Sequence, residues 1–133
     1  MCGRFCQASS ADIAAVFKVE SGEISPRYNV APSQSVVAIV RLPDPDDPQV
    51  KSLHWGLIPS WAKDPKSGYK LINARAETVS EKPSFRSAFR KRRCLIPANG
   101  FYEWQQVEGS RPGCLTHLSE TLISREIGID PAR

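Results

Sequence analysis

Cys94-Leu95-Ile96-Pro97-Ala98-Asn99-Gly100-Phe101-Tyr102-Glu103-Trp104 is the stretch on which the fold turns. Residues 94–96 and 101–104 are short runs of apolar and aromatic side chains with strand character. Between them stand Pro97, Asn99 and Gly100, residue types that favour turns because Pro presets φ while Asn and Gly tolerate positive φ. The stretch therefore predicts two strands joined by a turn. Working outward, residues 35–42 are rich in Val and Ile and run into the Pro-Asp cluster of 43–48, which predicts a strand followed by an exposed turn. Residues 50–55 predict another strand, and 59–68 an irregular loop carrying Trp61. Two short helices complete the pattern. Residues 11–18 set Ile13, Val16 and Phe17 on one face behind Ser10 as a cap. Pro83 opens a second helix through Arg92, with Phe85, Ala88 and Phe89 inward and Arg86, Arg90 and Lys91 on the other faces. The expected fold is α+β, a single domain dominated by strands.

Length and composition agree with that. At 133 residues the chain is long enough for one modest core and too short for two. It is 41% hydrophobic and 24% charged, which excludes disordered and fibrous classes. Eighteen Lys and Arg against fourteen Asp and Glu give a net charge of +4, which permits an anionic partner without demanding one. Cys2, Cys6, Cys94 and Cys114 form no C-x-x-C pair, so no metal site is expected. No secretory leader or membrane-length apolar run is visible, so a cytoplasmic location with free thiols is expected. Past Gln105 the texture changes: Leu115, Leu118, Leu122, Ile123 and Ile127 recur at helical spacing.

Several residues carry chemistry. Met1 ahead of a small residue is normally trimmed, which leaves Cys2 with a free α-amine and a thiol on adjacent carbons. An α-amine titrates at about pH 8, so part of it is neutral and nucleophilic at physiological pH. The amine attacks an aldehyde, and the neighbouring thiol closes the imine into a thiazolidine that resists hydrolysis. The plain alternative is an ordinary buried or surface cysteine. Asn73-Ala74-Arg75-Ala76-Glu77 gathers an amide, a cation and a carboxylate, suited to a polar anionic ligand or simply to a solvated strand end. Glu103, between Tyr102 and Trp104, suits general acid–base work; a glutamate on a wet strand face is the other reading. Arg4, Arg75 and Arg86 would grip phosphates, with Trp55 and Trp61 as stacking platforms, although tryptophans are more often core. Residues 90–93 read as a solvated basic face, and neither His54 nor His117 reads as a catalyst.

Taken together and in order, Met1-Cys2-Gly3-Arg4-Phe5, Tyr28-Asn29-Val30-Ala31-Pro32, Trp55-Gly56-Leu57-Ile58-Pro59-Ser60-Trp61, residues 73–78 and residues 94–104 resemble the SOS response-associated peptidase family. The resemblance covers residues 1–107, leaving 108–133 as a divergent tail. It implies a bent, partly barrel-like antiparallel sheet with short flanking helices and a basic cleft. It also implies an abasic-site processing protein, active as a monomer, associated with the nucleoid when DNA-bound, and without cofactor. In that implied site Cys2 is the crosslinking nucleophile, assisted by Asn73 and Glu103. Arg4, Asn29, Pro32, Trp55, Trp61, Arg75 and Arg86 would contact single-stranded DNA. Autocatalytic peptidase activity at Cys2 is implied as a secondary function. The family pattern continues to a His-Arg-Met-Pro type motif, which this chain lacks: His117 is followed by Leu118 and Ser119. A non-catalytic single-strand binder therefore stays open as an alternative; a thiol peptidase is a second, against which the missing histidine counts because nothing matched remains to activate the thiol.

Overall fold

The computed structural model describes residues 3–41 and 47–105, and the backbone of 113–127. The elements run β1 (Phe5–Gln7), α1 (Ser10–Phe17), β2 (Arg27–Val30), β3 (Ser35–Arg41), β4 (Pro48–His54), a 3-10 turn (Pro65–Lys70), α2 (Arg86–Lys91), β5 (Arg93–Gln105) and β6 (Gly113–Ile127). All strands join one antiparallel sheet in the order β2-β1-β5-β3-β4, with β6 paired to β5 off that path. The α+β expectation holds, with the sheet bent into a half-barrel.

β5 is the spine. Cys94 and Leu95 pair with Val40 and Ile39 of β3, whereas Ala98, Gly100 and Phe101 pair with Gln7, Cys6 and Phe5 of β1. The β6 ladder runs from Arg93 opposite Ile127 to Gln105 opposite Gly113. The turn expected at residues 97–100 is therefore absent: the chain passes straight through as one thirteen-residue strand. The turn-forming residues serve another purpose. Pro97 lies between the residues paired to β3 and those paired to β1, and the register shifts across Asn99, which makes a β-bulge. Pro and Gly belong in strands at such irregularities. The helical spacing read in the tail is corrected likewise, because residues 113–127 are a strand. Pairing with the long edge of β5 overrides local periodicity there.

Period-two alternation gives the sheet two apolar faces. Val36, Ala38 and Val40 of β3, with Cys94, Ile96 and Ala98 of β5, pack on one side with Phe5, Val30, Leu53 and Trp55. Val37, Ile39 and Leu95 point the other way, beneath Ile13 and Phe17 of α1. A third cluster, Leu57, Val79, Phe85 and Ala88, seats α2.

α1 begins one residue earlier than the sequence suggested. Ser9, not Ser10, caps it: the Asp12 N–H donates to the Ser9 hydroxyl while the Asp12 carboxylate accepts from the Ser9 backbone and hydroxyl, a reciprocal capping box. Of the expected inward face, Ile13 is buried and Phe17 half-buried, but Val16 is exposed. The second helix is shorter than expected, with a turn over 83–85 ahead of it. β1 and β2 escaped the sequence reading because three- and four-residue strands carry almost no periodic signal. The turn expected at 43–48 lies mostly outside the described residues.

Candidate functional site

The site grows from the pairing of β1 with β5. Phe5 stands opposite Phe101, and the Tyr102 N–H donates to the Arg4 carbonyl at 3.0 Å, so the ladder continues past the end of β1. Glu103 comes next on β5, as Gly3 comes next before Arg4. Glu103 is half-buried. Alternation puts it on the same side of β5 as Phe101, which packs on the first core cluster. Ile72 packs on that cluster too and accepts the Trp55 indole N–H at 3.1 Å, which brings the half-buried Asn73 to the same region.

On the other flank of β1, Arg4 and Asn29 meet. The Arg4 guanidinium donates to Asn29 Oδ1 at 2.9 Å, and both residues are exposed. Pro32 lies in the tight turn of residues 31–34, closed by the Gln34 N–H donating to the Ala31 carbonyl, with Ser33 at φ 66°. Pro followed by a positive φ is the pattern of a type II turn. Arg27 braces it by donating to Gln34 Oε1 and to the Ser35 carbonyl, both at 2.6 Å. Ser33 and Gln34 bond in turn to the Trp55 backbone. Arg4 and Asn29 thus meet beside β1, Pro32 follows two residues after β2, Glu103 adjoins Tyr102 on β5 and Asn73 adjoins Ile72.

The remaining expected residues separate into three cases. Trp55 is no stacking platform: it is 4% exposed, its ring meets Phe5 edge-on at 5.4 Å, and its N–H is spent on Ile72. Trp61 is 64% exposed and free to stack. Arg75 is exposed in the segment following Asn73, while Arg86 sits on α2, which leads into the opposite end of β5 from Glu103. There Arg86, Ser87, Arg90 and Lys91 line a shallow basic concavity. Cys2 lies outside the described residues.

Sequence reasoning missed two exposed aromatics, Tyr28 and Tyr69. Tyr28 belongs to the same Tyr28-Asn29-Val30-Ala31-Pro32 segment as two expected contacts, and that adjacency was the available signal. Tyr69 carries the Lys70 ammonium 5.4 Å from its ring centre. Among the described residues no three His, Cys, Asp or Glu side chains cluster as metal ligands, and no helix is long and apolar enough to cross a membrane.

A half-barrel sheet whose N-terminal strand lies beside a carboxylate-bearing central strand, flanked by exposed arginines and aromatics, defines the class of domain. The family model described as SOS response associated peptidase (SRAP) matches residues 1–124, and the chain belongs to that family. The match continues into β6, past residue 107 where the motif resemblance stops. The chain is 51% identical to the abasic site processing protein YoqW of Bacillus subtilis, over 81% of this chain and 50% of that one. It is 42% identical to the abasic site processing protein HMCES of Rattus norvegicus, over 64% of this chain and 27% of that one. A crystal structure of a protein from Bacteroides thetaiotaomicron superposes with a TM-score of 0.71 at 26% identity, covering 91% of this chain and 58% of the other. A phage-related protein from Bordetella bronchiseptica gives 0.69 at 25% identity, over 93% and 59%. The chain spans about half the length of the YoqW relative.

Proposed function

We propose that this chain processes abasic sites in single-stranded DNA by covalent capture at Cys2. Removal of Met1 frees the Cys2 α-amine. The amine adds to the aldehyde of a ring-opened abasic sugar and loses water to form an imine. The Cys2 thiol then adds across the C=N bond, its proton passing to nitrogen, and a five-membered thiazolidine joins protein to DNA. Glu103 moves the protons that these steps require, donating to the departing hydroxyl and receiving from the thiol. Asn73 orients the sugar.

The observation that carries this reading is the β1–β5 register, with Tyr102 bonded across to Arg4, so that Glu103 comes next on β5 as Gly3 and Cys2 come next before Arg4. The abasic-site names of the relatives and the exposed Arg4–Asn29 pair support it from two further directions. Arg4, Asn29, Pro32 and Arg75 would hold the strand near the reacting sugar, Trp61 would stack on a base, and Arg86 would meet phosphates further along. The protein acts as a monomer at DNA.

The test is a denaturing gel of the purified chain after incubation with a single-stranded oligonucleotide holding one abasic site, beside an intact-base control. A heat-stable slower band with the abasic strand alone is expected. Soluble, folded protein that gives no such band overturns the proposal; salt-sensitive binding without a covalent product would mark a simple single-strand binder.

A further inference from the structure

The pairing of β1 with β2 contains an irregularity placed beside the Arg4–Asn29 pair. Phe5 opposes Val30 and Gln7 opposes Arg27, so two steps along β1 face three along β2, and Cys6 alone stands against both Tyr28 and Asn29. This is a β-bulge, a device that takes a residue out of the ladder and re-aims its side chain. Its result is that Tyr28 and Asn29 are both exposed, Tyr28 at 71%, on a strand that regular alternation would have turned half inward.

A bulge also leaves a backbone group in need of a partner. Two side chains reach the Tyr28 carbonyl at this bulge. The Tyr102 hydroxyl donates to it at 2.6 Å, crossing from β5 over β1, and the buried Cys6 thiol lies 3.4 Å from it and 3.5 Å from the Tyr102 oxygen. Tyr102 in turn bonds the Arg4 carbonyl through its own N–H. One residue therefore fixes the backbone on both sides of the Arg4–Asn29 pair. Packing does not account for the exposed Tyr28 ring, which touches solvent over most of its surface, yet its backbone carbonyl is held from β5 by the Tyr102 hydroxyl.

We infer that Tyr28 is a base-stacking platform for single-stranded DNA, set outward by the bulge beside the Arg4–Asn29 pair and held there by Tyr102. This rests on the DNA-binding part of the proposed function. A solvent-facing aromatic on an anchored backbone beside the Arg4–Asn29 pair suits single-strand binding, in which bases stack on rings while arginines meet phosphates. Tyrosine loses little conformational freedom on binding, and a backbone fixed in advance reduces that loss further.

The test is fluorescence anisotropy with a labelled, undamaged oligothymidylate, so that no covalent step intervenes. Tyr28→Ala is expected to weaken binding by roughly five- to 150-fold, the range for loss of one stacked base. Tyr28→Phe and Tyr28→Trp, which keep a ring, should stay within about threefold of the parent chain on the same ground. Because no phosphate contact is lost, Tyr28→Ala should leave the salt dependence unchanged, whereas Arg4→Ala should flatten the log–log slope by about 0.7. Tyr102→Phe should cause a smaller loss that vanishes in the Tyr28→Ala background. Parent-like affinity in Tyr28→Ala, with Arg4→Ala weakened, overturns the inference alone. Failure of the parent chain to bind the oligonucleotide overturns the DNA-binding reading and this inference with it. Equal losses in the Ala and Phe variants would also overturn it, by showing that the ring is not what matters.

Discussion

The Gln7 side chain accepts the Val37 backbone N–H at 3.1 Å, and by doing so joins β1 to β3 where the two strands meet along the same edge of β5. Gln7 is 5% exposed, a polar side chain among apolar neighbours, and its carboxamide stands in for a missing strand partner. Gln7→Leu keeps the approximate volume but leaves the Val37 donor unpaired. A loss of about 1–3 kcal/mol is expected, the cost of a buried donor without an acceptor. Urea unfolding of the two proteins measures it, and a difference below about 0.5 kcal/mol would mean that water or another acceptor replaces the side chain.

Gly56 and Gly68 bring two loops into backbone contact. Gly56 has φ +133°, and a Cβ there would lie 2.7 Å from the Gly68 carbonyl oxygen. Strained backbone of that kind costs about 1–3 kcal/mol for a residue other than glycine, before the clash is counted. Gly68→Ala meets the Gly56 oxygen at 3.0 Å and the Ile58 side chain at 3.1 Å, without the adverse φ. Thermal melts should therefore rank Gly56→Ala well below Gly68→Ala. The reverse order would show that the backbone at residue 56 relaxes enough to relieve both the dihedral and the clash.

The capping box of α1 makes a prediction about pH. The Ser9 hydroxyl and then the Ser9 backbone N–H donate to the Asp12 carboxylate and hold its pKa below the usual 3.8. A carboxyl depressed on folding contributes stability in full above its unfolded value, and that contribution disappears as pH falls through the folded value. The melting temperature of Asp12→Asn should thus lie below that of the parent at pH 7. The gap should begin to close as pH falls below about 4 and be gone once pH has passed the lowered folded value, where the parent carboxyl gains its proton. A gap that widens on acidification would refute the assignment.

The two tryptophans near the site should fail in opposite ways. Trp55→Ala empties a core position and strands the Ile72 carbonyl, so a loss of about 3–5 kcal/mol is expected. Trp61→Ala removes an exposed ring and should leave unfolding within about 0.5 kcal/mol of the parent while weakening single-strand binding. Chemical denaturation and anisotropy on both variants decide the matter. Unchanged DNA affinity in Trp61→Ala would remove it from the interface.

For the proposed chemistry, Cys2→Ala should abolish the abasic crosslink while keeping salt-sensitive binding. Glu103→Gln should slow crosslinking by roughly a hundredfold, the ordinary scale of general acid–base assistance, with affinity little changed. Quench-flow or manual time courses at saturating DNA give the rate. A crosslink that survives Cys2→Ala would refute the mechanism, and a large affinity loss in Glu103→Gln would recast that residue as a binding group.

Much of this was legible beforehand, and the exceptions have physical causes. β3 was readable because a Val and Ile run bounded by turn residues is a strong local signal. Pro97 and Gly100 misled because the residue types that make turns also mark bulges and partner changes inside long strands; only the neighbouring strands distinguish these cases. The apolar spacing of the tail misled for a related reason: a long unpaired strand edge recruits a partner whatever the partner's own period. Trp55 and Trp61 are six residues apart in one motif, and nothing in that motif says which ring is buried.

The sequence by itself determined the α+β class, the family-bearing motifs and the reactive pair latent in Cys2, because these rest on residue type and order. Tertiary structure alone decided that Tyr102 stands across from Arg4, one residue from Glu103, that Arg4 meets Asn29, and that a bulge turns Tyr28 outward. Each of those depends on strand register. Register is fixed by which side chains share a core and by which backbone groups must find partners, neither of which is written in any single segment.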